Sequence, residues 1–115
     1  MKKIALFAFN GELSCFAHVL LNALEMKNSG HDVKVIIEGE ATKQVAFLRN
    51  ETKPFADLYR RALAAGLVDC VCKACAAKSG ATNAAIQQGL PLCGEMEGHP
   101  SIARYLDDGH EVLVF

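Results

Sequence analysis

The sequence predicts an α/β fold, a three-layer α/β/α sandwich around a mostly parallel, five-stranded sheet. Three observations carry that prediction. The first strand-like segment, residues 3–9, is apolar without alternation, as a strand covered on both faces requires. Five such segments alternate with helix-patterned ones, and joining neighbouring strands through helices makes them parallel, with right-handed crossovers. The chain has 115 residues, which suits a single domain over residues 1–115 burying roughly two-thirds of its unfolded surface.

The elements follow in order. After the strand at 3–9, Asn10, Gly11 and Glu12 make a loop, and Ser14 caps a helix running to about Ser29. Phe16, Val19, Leu20, Ala23 and Leu24 recur at helical spacing, and Gly30 stops the run. Residues 31–38 hold Val33, Val35, Ile36 and Ile37 between Gly30 and Gly39, a second buried strand. Two helical pieces come next, 42–50 and 54–65, with Pro54 suited to a first helical turn and Gly66 to a C-cap. Residues 67–72 form the third strand and 73–79 a short helix closed by Gly80. Thr82 caps another short helix through Gln87, and Pro91, Leu92 and Cys93 give a short fourth strand. A polar loop, 94–100, leads to a last helix at 101–106 and a terminal strand at 111–115.

Composition narrows the function. With 12 basic and 13 acidic residues and a net charge of -1, no clustered basic face is available to neutralise a nucleic-acid backbone. The longest clean apolar run, from Ile4 to Phe9, is six residues, far short of the ~20 that span a bilayer. Met1, Lys2 and Lys3 imitate the start of a signal peptide, but Asn10, Gly11 and Glu12 interrupt the apolar stretch too early. The expected location is therefore the cytoplasm.

Five cysteines, an odd number, stand at positions 15, 70, 72, 75 and 93, and in a reducing compartment a disulfide framework is not expected. Sulfur or redox chemistry, metal ligation, or service as small buried hydrophobes remain. In a parallel sheet the functional crevice lies beyond the carboxyl ends of the strands. Those exits place Cys15, Cys72, Cys75 and Cys93 on one rim, with Cys70 deeper on the same strand face as Cys72.

Cys72 ends a strand and opens a helix, where free amides and the helix dipole lower a thiol pKa and favour a nucleophilic thiolate. Cys75 follows at C-x-x-C spacing, one helical turn away, and Lys73 adds a cation. Cys15 has the same setting at the first helix, or faces the core; Cys93 is a resolving thiol or a core residue. His99 sits in an acidic, glycine-containing loop suited to a lid, although a plain surface histidine fits as well. His18, His31 and His110 read as structural or solvent-facing. Thiolate ligation offers an alternative, with Cys72, Cys75 and Cys93 completed by Cys15 or His99 around zinc or an iron-sulfur cluster. The loop at 10–14 has one glycine and an acidic residue, so it does not cradle phosphate, and no nucleotide, flavin or hydrolase signature is present. No cofactor is expected.

Residues 66–80, Gly-Leu-Val-Asp-Cys-Val-Cys-Lys-Ala-Cys-Ala-Ala-Lys-Ser-Gly, resemble the sulfur-relay segment of the DsrE/DsrF-like family, in which an apolar strand ends in a cysteine and a short helix returns to glycine. The Lys-Lys-apolar start, the Ser-Gly-His-Asp-Val turn and the Glu-Val-Leu-Val-Phe ending extend the likeness along the chain. The resemblance implies flavodoxin-like layering and a small cytoplasmic carrier that accepts sulfane sulfur as a persulfide on Cys72. It implies sulfur donors and acceptors as partners, a homo-oligomer (trimer or hexamer), and a relay rather than a high-turnover enzyme. Cys75 then serves as a resolving or second acceptor thiol. The six phenylalanines, Phe7, Phe9, Phe16, Phe47, Phe55 and Phe115, exceed what one small core covers and agree with oligomerisation.

Overall fold

Five strands, β1 (Lys3–Ala8), β2 (Asp32–Ile37), β3 (Val68–Cys72), β4 (Leu92–Cys93) and β5 (Glu111–Val114), form one sheet in the computed structural model, which describes residues 1–115. Their order is β4-β3-β2-β1-β5, and every neighbouring pair is parallel. Six helices join them: α1 (Leu13–Asn28), α2 (Lys43–Phe47), α3 (Ala56–Ala64), α4 (Lys73–Ser79), α5 (Thr82–Gln87) and α6 (Ile102–Asp107). The predicted three-layer α/β sandwich is the fold found.

From β1 to β4 the chain steps sideways in one direction, so crossovers of one hand all land on the same face. Helices α1 to α5 accordingly pack there, burying Phe16, Leu20, Val45, Tyr59, Ala76 and Ala85 against Leu6, Val35, Ile37 and Val71. The last crossover returns across the sheet to the far side of β1, which carries α6 over the opposite face. There Tyr105 packs with Ala5, Phe7, Ile36, Cys70 and Cys93. None of the helices is long and apolar enough to cross a membrane.

Within α1 the buried set Phe16, Val19, Leu20 and Ala23 keeps one helical face, and Gly30 beyond it takes φ +91. The helix starts at Leu13 rather than at a Ser14 cap. Its entry is set instead by Asn10, whose Oδ1 accepts a hydrogen bond from Glu12 N at 2.8 Å. Two further boundaries shift for local reasons. A 3₁₀ turn (Gly39–Thr42) runs into α2, which ends at Phe47, because the Asn50 side chain accepts from Thr52 N and makes a turn of its own. Pro54 lies outside α3, since Phe55 takes the left-handed φ of 67 just before the helix begins.

One expectation is overturned at the sheet. Cys70 and Cys93 form a disulfide with their Cα atoms 5.8 Å apart. Each lies on the α6 face of its strand, and β3 and β4 are neighbours, so parallel pairing puts the two side chains within bonding reach. Neither is a free core thiol, and Cys93 is no resolving thiol. The denatured, unreduced chain should titrate three thiols, Cys15, Cys72 and Cys75. Because the bond closes a loop over a sequence separation of 23, its removal in a C70A/C93A chain should cost about 3 kcal/mol in urea unfolding.

Candidate functional site

Strands β3 and β4 are neighbours whose outgoing connections leave on opposite faces, α4 and α5 on one side and α6 on the other. A crevice opens where adjacent parallel strands part in this way. Cys72, the last residue of β3, is the register partner of Cys93, the last of β4. From Cys93 the chain folds back over Cys72 as a tight turn. Met96 and His99 exchange backbone hydrogen bonds in both directions, and Glu97 and Gly98 between them take φ values of 50 and 94. Two consecutive left-handed residues make this a type I′ turn, which explains the glycine. Gly98 O accepts from Ala74 N at 2.9 Å, pinning the turn on α4. A Cβ at position 98 would come within 3.2 Å of the Ala74 methyl.

The turn delivers His99 to the thiols. Its Nδ1 lies 3.2 Å from Cys72 Sγ, 3.7 Å from Cys75 Sγ and 3.9 Å from Glu38 Oε1. Cys72 Sγ also accepts from Cys75 N at 3.4 Å and donates to Gly98 O at 3.6 Å. Cys72 has no exposed surface, whereas half-buried Cys75 lines a cavity of about 480 Å³ together with Gly39, Ala74, Lys78, Ser79 and His99. Cys75 is thus the outward thiol and Cys72 the inward one. Thr42 holds the two sides together: its hydroxyl contacts Gly39 O, Cys75 O and Ser79 Oγ at 2.8, 3.2 and 2.8 Å.

Electrostatics at Cys72 run against the expected thiolate. Burial, reinforced by the hydrogen bond with Cys75 and the nearby Glu38 carboxylate, pushes its thiol from 9.0 up to about 12. The Cys75 amide at the helix start pulls the other way and does not win. The helix behind it has only seven residues. Burial also raises the Glu38 pKa, with the His99 imidazole partly opposing it. The resting site is therefore a neutral thiol with an imidazole in contact, an arrangement in which His99 takes the Cys72 proton when a reaction calls for thiolate.

The expected gathering of thiols on one rim contracts to two. Cys72 and Cys75 come together with His99, and these three offer ligand atoms that all lie within 4.8 Å of one another. Cys15 is exposed on α1, beside Asn10, Ser14, His18 and Phe115 in a separate cavity at the β1 and β5 end of the sheet. A metal set of Cys72, Cys75, Cys93 and Cys15 is accordingly ruled out, Cys93 being bonded to Cys70 and Cys15 lying elsewhere. Lys73 is exposed and its stem runs past Gly94; the basic side chain in contact with the thiols is His99. The loop carrying His99 is a closed turn over Cys72 rather than an open lid. Glu38 and Thr42 are members that pattern reading missed. Glu38 carries a faint signal, an acid at the exit of a buried strand; Thr42 carries none.

Two thiols held at a strand end of a wholly parallel α/β sheet, with an imidazole brought down from the next strand, define a small α/β protein with a Cys-Cys-His cluster. Its kinship comes from the chain taken whole: it belongs to the DsrE/DsrF-like family, matched over residues 2–115. It is 33% identical over 96 residues to the uncharacterized protein MJ0733 of Methanocaldococcus jannaschii, covering 84% of this chain and 76% of that one. Two uncharacterized proteins of Archaeoglobus fulgidus are each 44% identical to it, one over 41 residues (36% of this chain, 67% of theirs) and one over 36 (31% and 97%). No solved structure matches it.

A raised thiol pKa ties stability to pH. Below pH 9.0 Cys72 is protonated whether folded or unfolded; above it the unfolded chain ionises first, so stability falls as pH rises from 9.0 towards about 12. Urea unfolding at about pH 8 and about pH 10 should show this loss in the wild type and a smaller one in Cys72→Ala. Gly98→Ala should destabilise by roughly 1–2 kcal/mol through its left-handed backbone, and should speed alkylation of Cys72 as the turn lifts.

Proposed function

We propose that the protein is a sulfur carrier or sulfurtransferase-like relay, taking sulfane sulfur as a persulfide on Cys72 with Cys75 as resolving or second acceptor thiol. The observation that supports it best is the 3.2 Å contact between Cys72 Sγ and His99 Nδ1 at the strand end of a DsrE/DsrF-like chain. In the loading step His99 takes the Cys72 proton, and the thiolate attacks the outer sulfur of a donor persulfide. The donor S–S bond breaks, the donor thiolate leaves with the proton from His99, and Cys72 carries the sulfur. An acceptor thiolate then removes that outer sulfur in the same way, returning Cys72 to the thiol.

Cys75 adds a second fate. Its thiolate attacks the inner sulfur of the Cys72 persulfide, hydrosulfide leaves, and a Cys72–Cys75 disulfide forms; the two cysteines are oxidised while the sulfane sulfur is reduced to sulfide. A dithiol reductant from outside is needed to reopen the pair. The Cys70–Cys93 bond takes no part in this cycle, both residues being buried beside Tyr105. The carrier works with donor and acceptor proteins or small sulfane-sulfur compounds. Half-exposed Leu113, Val114 and Phe115 at the edge strand β5 favour a homo-oligomer, for which the family resemblance implies a trimer or hexamer.

Polysulfide treatment followed by mass spectrometry checks the assignment. The wild type should gain sulfur mapping to Cys72, and Cys72→Ser should gain none there or at Cys75. Cys75→Ser should load but release no sulfide. Loading that persists unchanged in Cys72→Ser would sink the reading.

A further inference from the structure

The geometry points to a metal site: we propose that Cys72, Cys75, His99 and Glu38 bind one thiophilic divalent ion of the zinc type. The inference goes beyond the sulfur-carrier reading and does not depend on it. Two thiolates and an imidazole nitrogen around zinc, at about 2.3 and 2.1 Å, stand about 3.3–3.8 Å from one another in a tetrahedron. His99 Nδ1 lies 3.2 and 3.7 Å from the two sulfurs, and all three ligand atoms stand within 4.8 Å of one another, so small side-chain shifts bring them to a coordination shell. Three different elements supply the ligands, β3 with α4, the turn at 94–100, and the exit of β2.

Glu38 is the independent observation. Only 7% exposed, it has a carboxylate that accepts no hydrogen bond from the protein, with Oε1 3.9 Å from His99 Nδ1. A buried carboxylate without a hydrogen-bond donor from the protein costs free energy that a bound cation offsets. An ion between Cys72, Cys75 and His99 supplies that cation, and the Glu38 side chain, which at rest stands outside their 4.8 Å cluster, swings in as the fourth, oxygen ligand. The two-sulfur, one-nitrogen, one-oxygen set is suited to zinc rather than to magnesium or calcium. Entry is through the cavity that Cys75 and His99 line. Binding displaces the protons of both thiols into solvent and changes no oxidation state.

The test uses the full chain, with Cys72 and Cys75 verified as free thiols, titrated with Co²⁺ as a spectroscopic probe and with Zn²⁺ in competition with a chromophoric chelator. The expected result is one ion per chain, intense visible bands of tetrahedral Co²⁺ with a thiolate charge-transfer band, and release of two protons. His99→Ala and Cys75→Ala, checked for folding by circular dichroism, should each weaken binding by more than about tenfold. Cys15→Ala should bind as the wild type does. No saturable binding, an octahedral spectrum lacking the thiolate band, unchanged affinity in the folded His99 and Cys75 variants, or loss in Cys15→Ala overturns the site. Polysulfide loading of the metal-free chain reads the relay separately: metal without persulfide removes only the relay, and persulfide without metal removes only this site.

Discussion

Everything at the thiols depends on the fixed hand of parallel crossovers. Four strands laid down in one direction must carry their helices on one face, and the strand that closes the sheet on the other side of β1 must be reached over the opposite face. The change of face falls between β3 and β4. Adjacent exits that diverge leave room between them, and the two segments nearest that room supply Cys72, Cys75 and His99. No special loop had to be inserted; a two-residue turn from β4 is long enough to span the parting.

The same burial that shapes the pocket decides its charge. A cysteine at a helix start in water has every reason to ionise, yet Cys72 sits under the turn with no exposed surface and a carboxylate nearby. Desolvation outweighs one short helix's amides. The inner sulfur is thereby kept protonated, and the imidazole in contact with it is held there by the folded turn.

Much of this was legible in the sequence, because buried parallel strands announce themselves as unbroken apolar runs and glycine marks the helix ends. The five strands, the long helix after the first of them, the C-x-x-C pair at the third strand exit and the interest of His99 were all readable. What the pattern did not carry depends on pairing rather than on spacing. Cys70 and Cys93 meet because β3 and β4 are neighbours, and no local feature gives strand order. Glu38 reaches the thiols because β2 lies beside β3, and the direction of the Cys72 shift depends on how completely the turn covers it. Pro54 misled for a smaller reason: Phe55 takes a left-handed conformation that a phenylalanine seldom adopts.

Strand β4 is only Leu92 and Cys93, two rungs of ladder holding one edge of the sheet. Side chains alternate along a strand, so a slip by a single residue would turn Cys93 to the other face and swing the following turn out of line. Two rungs do little to forbid such a slip. The sulfur bond to Cys70 forbids it covalently, since that bond closes only when Cys93 points toward α6. The disulfide thus acts as an index pin, setting to one position the short strand from which His99 is hung.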